Sequence, residues 1–99
     1  MPMTVVVTRD VEPRYRGFLS SVMLEIAPGV YTGPRMTKAV RERVWRVLAE
    51  WHGALRRAAI VMTWRDPRAA GGQQVLMLGD APKELVDADG VLLVRRELG

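Results

Sequence analysis

The chain has 99 residues, of which 48% are hydrophobic and 26% charged, a composition that fits one globular domain and excludes a disordered segment. It has no cysteine, which excludes disulfides, thiolate nucleophiles and cysteine-ligated metals, and its single histidine, His52, excludes a several-histidine metal site within one chain. The net charge of +4 is uneven: residues 1–68 hold 12 basic and 6 acidic side chains (net +6), and residues 69–99 hold 3 and 5 (net −2), so a polyanion is expected on the body and a basic partner on the tail.

Met3 to Thr8 is rich in β-branched residues and too short for a helix, which predicts a buried strand. Pro13 suits the first position of a helix, and Tyr15, Phe18, Leu19, Val22, Met23 and Ile26 recur on one helical face after it. Gly17 inside that helix costs roughly 1 kcal/mol relative to alanine, so a close backbone approach is expected there. Glu25 to Gly33 reads as two short β pieces about the Pro28-Gly29 turn. Thr37 caps a second predicted helix that runs to about Trp51 and stops at Gly53. Its apolar stripe is Val40, Val44, Val47, Leu48 and Trp51; Lys38, Arg41, Arg43 and Arg46 lie around the rest, with Glu42 spaced to pair with Arg46.

Ala58 to Trp64 and Gln73 to Leu78 predict a β-hairpin with a long polar connection. Gly79 to Gly90 reads as turn-rich and acidic, with Asp80, Glu84, Asp87 and Asp89, before a last strand at Val91 to Val94. The order β-α-β-β-α-β followed by two strands is that of an α+β, ferredoxin-like split βαβ fold. Two helices cover only one face of such a sheet, so the other face is expected to meet the C-terminal strands, a partner or a second copy. Residues 1–80 are read as this domain and 81–99 as a C-terminal segment. No apolar run reaches membrane-spanning length, and no export pattern opens the chain, so a cytoplasmic protein away from membranes is expected.

Several motifs then carry a resemblance: Val-Val-Val-Thr (Val5 to Thr8), Pro13-Arg14-x-Arg16-Gly17, and Leu24-Glu25 leading to Gly29-Val30-Tyr31-x-Gly33. They continue with Lys38, Arg41, Glu42 and Trp45, then Val61-Met62-x-Trp64, and end at Asp87-x-Asp89-Gly90. In order and spacing they resemble the CRISPR-associated Cas-two family, type I-E branch, across nearly the whole chain. The resemblance implies a homodimer acting in spacer acquisition, which supports double-stranded DNA between two dimers of the Cas-one integrase. It also implies an alternative, since other members are described as Mg²⁺-dependent endonucleases, acting on RNA or DNA, that use an aspartate at the end of the first strand.

Arg14 and Arg16 lie in the first turn of a helix whose apolar face is complete without them, and cations there oppose the helix dipole, a placement that a bound phosphate would explain. Together with Lys38, Arg41 and Lys83 they are the expected nucleic-acid contacts; Arg35, Arg43, Arg65 and Arg68 are weaker candidates. Asp10 is the only carboxylate that could act as the family's metal-binding aspartate, and Arg9 beside it would repel Mg²⁺. The role that the resemblance implies is therefore preferred as a scaffold that requires no cofactor and breaks no bonds, with Mg²⁺ at Asp10 kept for the endonuclease alternative. His52 is expected to engage the end of its helix, and Trp45, Trp51 and Trp64 to pack in the core or an interface. The last strand is expected to pair with the dimer mate or the integrase.

Overall fold

A computed structural model describes residues 3–53 and 58–79 and, as backbone, 84–88 and 91–95. The elements run β1 (Thr4–Arg9), α1 (Pro13–Val22), β2 (Leu24–Ala27), β3 (Val30–Gly33), α2 (Lys38–His52), β4 (Ala59–Arg65), β5 (Gln73–Leu78), β6 (Glu84–Ala88) and β7 (Val91–Arg95), with a 3-10 turn at Ala70–Gly72 before β5. β1 to β5 form one antiparallel sheet in the order β2-β3-β1-β4-β5, and β6 pairs with β7 in a separate two-stranded sheet. This is the expected βαββαβ arrangement with a fifth strand added beside β4.

The core lies between the helices and one face of the sheet. Because side chains alternate along a strand, Val6, Tyr31, Ile60 and Met62 point the same way in register and meet Tyr15 and Leu19 of α1 and Val44 and Leu48 of α2. The opposite face carries Val5, Val7, Val30, Val61, Val75 and Met77, with Leu24 66% exposed. Among the described residues both helices pack on the other face, as the two-helix count implied.

Two details of the first helix differ from expectation. The chain turns extended at Met23 (φ −139°, ψ 166°) and enters β2 without a loop, so the helical spacing stops before it can bring Ile26 inward. Ile26 falls at the irregularity between Glu25 and Ala27, and both it and Val22 are exposed. A methyl group added at Gly17 would also meet nothing within 4 Å among the described residues, so the close approach expected there is not seen among them.

The second helix starts and stops as read. Thr37 Oγ1 accepts the Val40 N–H at 3.2 Å, and Gly53, at φ +44°, donates its N–H to the Ala49 carbonyl. Its cations are arranged differently. Glu42 pairs with Lys38 at 3.9 Å, not with Arg46, and Arg41 is buried at 9% exposure. Buried His52 reaches beyond its own helix: Nε2 donates to the Ala58 carbonyl at 2.8 Å, joining the end of α2 to the entry of β4. At the C-terminus, β6 occupies part of the stretch read as turns, and β7 pairs with it.

Candidate nucleic-acid interface

The antiparallel register fixes where each candidate cation lies. Thr4 is opposite both Gly33 and Trp64, which marks one end of the sheet, and Arg9 opposite Ala59 marks the other. α1 begins just after Arg9 and α2 begins just after Gly33, so the two helix N-termini sit at opposite ends. Six residues of extended strand separate them by about 20 Å. Arg14 and Arg16 therefore stand at one end, and Lys38 and Arg41 at the other. Lys83 lies outside the described residues.

At the first end, Arg14 bridges the helices. Its guanidinium lies 4.8 Å from the centre of the Trp51 ring, donates to the Trp51 carbonyl at 3.4 Å and pairs with Glu12 at 3.4 Å. Arg16 projects outward with its side chain 70% exposed, and its Nε and Nη2 both lie 3.1 Å from Glu25 Oε1. The other oxygen of Glu25 accepts the Gly29 N–H at 3.1 Å. That hydrogen bond is the main reason its carboxyl lies below the ordinary value of 4.5; bonding from Tyr31 and the charge of Arg16 add to it against a desolvation penalty. Burial, followed by the facing Glu25, pushes the Tyr31 phenol up.

Arg16, Glu25, Gly29 and Tyr31 line an open cleft of about 490 Å³ between the end of β1 and the β2–β3 turn, with Thr8, Asp10, Val11, Glu12 and Pro13 on its other side. The turn is pinned there: Gly29, at φ +76°, accepts from both the backbone N–H and the hydroxyl of Thr8, at 2.7 and 3.1 Å. Asp10 is exposed and is the one non-glycine residue with positive φ, +57°, among the described residues. Asp tolerates that region better than most side chains, though holding it there costs energy that the surrounding fold must supply. Of the cleft's carboxylates, Glu25 is engaged by Arg16 and Glu12 by Arg14, which leaves Asp10. Among the described residues no three acidic or histidine side chains gather as a metal site, so a divalent ion at Asp10 would need further oxygens from water, phosphate or a second copy.

At the second end, Lys38 is exposed beside Glu42, and the Arg41 guanidinium carbon lies 4.1 Å from the centre of the Trp64 ring. Sequence reasoning placed Arg41 among the solvent-facing cations. The missed signal is that Arg41, Val44, Leu48 and His52 fall three or four residues apart on one helical face, and all four are buried. Trp45, Trp51 and Trp64 pack partly buried against the core.

The fold has the βαββαβ order read from the sequence, and a family model decides the matter: that of CRISPR-associated protein (Cas_Cas2CT1978) matches residues 3–93. The chain belongs to this family, a type I-E Cas-two family. The match runs from β1 into β7, so it takes in both ends of the sheet and most of the C-terminal hairpin. No helix among the described residues is long and apolar enough to cross a membrane.

Proposed function

We propose that this chain is a non-catalytic scaffold of CRISPR spacer acquisition. Two copies pair through the open faces of their sheets, and the dimer holds double-stranded DNA by its phosphates while bridging two dimers of the Cas-one integrase. The carrying observation is the exposed Arg16 in the first turn of α1 with Arg14 beside it, in a chain of the Cas-two family. Two guanidiniums and the free N–H groups of a helix start suit phosphate oxygens and carry no base readout. The apolar open face supports pairing, since a patch of this kind marks an association surface.

The test is co-purification with the neighbouring integrase, with and without a short duplex, followed by mass measurement. Alanine at both Arg14 and Arg16 should leave the dimer intact. It should also flatten the dependence of duplex affinity on salt by about 2–4 in log–log slope, for four arginines per dimer. Unchanged duplex binding at low salt would overturn the phosphate role.

A second reading, a Mg²⁺-dependent endonuclease acting on RNA or DNA, is favoured by the left-handed backbone of Asp10 at the cleft, because strain of this kind gathers at functional sites. It requires cleavage that stops with chelator and with Asp10→Ala. No chemical step is assigned to Asp10.

A further inference from the structure

The end of the sheet away from Asp10 holds a separate cavity of about 250 Å³ lined by Lys38, Arg41, Glu42, Trp45, Trp64 and Leu76. Its apolar walls come from three elements: Trp45 of α2, Trp64 of β4 and Leu76 of β5, each half-buried against the core. Arg41 closes one side. It is nine-tenths buried, and among the described residues it makes no hydrogen bond or ion pair. Stacking on Trp64 stabilises its charge but leaves the guanidinium N–H donors unmatched. Nearby Asp66 is close enough for its charge to act on Arg41 but forms no hydrogen bond or ion pair with it; its carboxylate accepts from the Arg68 N–H at 3.0 Å and the Gln74 amide at 3.3 Å.

The cavity adjoins an open strand edge. β5 is the outermost strand of its sheet, so its outer N–H and C=O groups have no strand partner among the described residues. Leu76 is opposite Met62 in the register and shares its core-facing side of the sheet, with Gln74 and Leu78 two residues away on either hand.

We propose that the β5 edge and this cavity together dock an extended segment of a partner protein that carries a large apolar side chain and, two residues away, an aspartate or glutamate. The segment adds to the sheet as a sixth strand, its apolar side chain seats against Trp45, Trp64 and Leu76, and its carboxylate meets Arg41 and Lys38. The period-two alternation of a strand sets the spacing of the two recognised side chains. Charge complementarity selects an acid, since Arg41 makes no hydrogen bond or ion pair among the described residues and exposed Lys38 lies on the same wall. The site lies at the opposite end of the sheet from Arg14 and Arg16 and does not depend on DNA binding there.

The test is a titration of the full-length, ¹⁵N-labelled chain with the capped peptide Thr-Asp-Val-Leu-Val-Thr to millimolar concentration, followed by amide and indole N–H shifts. Shifts are expected along β5 and at the Trp45 and Trp64 indoles, with the Trp51 indole unmoved. The same peptide with lysine for aspartate should bind about tenfold more weakly, as should the original peptide to Arg41→Met. The lysine peptide keeps the test valid even where the variant fails to fold. No shifts at millimolar peptide, or equal binding of both peptides, would overturn the proposal. Shifts produced by a hexathymidylate and not by the peptide would make this a nucleobase pocket instead. Shifts that follow dilution of the protein alone would assign the groove to a second copy.

Discussion

Arg16 and Glu25 are tied through a single oxygen: both Nε and Nη2 of the arginine lie 3.1 Å from Glu25 Oε1, while Oε2 takes the Gly29 N–H. A phosphate approaching Arg16 must compete with that carboxylate. Glu25→Gln removes the competing charge but retains an amide oxygen for Gly29. Duplex affinity at low salt should therefore rise, by about two- to fivefold given the strength of an exposed pair, in a fluorescence anisotropy titration. Affinity that falls or stays level would mean that Glu25 positions Arg16 without opposing it.

Acid should destabilise the fold through two carboxylates. Glu25 and Asp66 both lie below their ordinary values of 4.5 and 3.8, chiefly through the N–H groups of Gly29 and Arg68. A group whose pKa is lowered on folding binds fewer protons folded than unfolded, so it stabilises above its unfolded value and that stability is lost as pH falls through the folded value. Denaturant unfolding should show little change from neutral pH to about 5 and a decline below about 4.5. The double variant Glu25→Gln, Asp66→Asn should lessen that decline.

Gly17→Ala should stabilise the chain by about 0.5–1 kcal/mol, because the added methyl meets nothing within 4 Å and helix propensity improves. In a domain of this size that raises Tm by about 2–8 °C in a calorimetric scan. If the same variant binds duplex or the second copy more weakly, an outside surface is what approaches this backbone.

Gly29→Ala should act in the opposite direction. Its Cβ would fall 2.7 Å from the Thr8 carbonyl oxygen at a φ of +76°, so a destabilisation of about 1–3 kcal/mol is expected by denaturant titration.

Val7→Asp tests the pairing face. Val7 is 41% exposed at the centre of the open side, opposite Val30 and Val61. A buried charge there should halve the mass measured by light scattering, with the circular dichroism spectrum retained. A variant that keeps the parent mass would remove this face from the dimer.

Element order, both helix starts and the cap at Thr37 were legible because each depends on local chemistry: β-branched runs, Pro13 at a first turn, and a hydroxyl before a periodic stripe. The end of α1 was not, because Met23 has no stop signal and the change to β2 is imposed by pairing with β3. β6 hid behind acidic residues that, without a long-range partner in view, resemble a turn. At the candidate site, Arg14, Arg16 and Asp10 could be named from sequence, but their partners could not: Trp51 lies 37 residues from Arg14. Nor could the separation of the cations to two ends be read, since it follows from an antiparallel register that only the folded sheet displays.

The hydrogen bond from His52 to the Ala58 carbonyl has a practical consequence. It clamps the chain on both sides of positions 54–57, so α2 and β4 keep their relation through a side chain and not only through the connecting backbone. Because the neighbouring Trp51 accepts from Arg14 through its carbonyl, a substitution at His52 would disturb the contact with the start of α1 as well as the entry of β4.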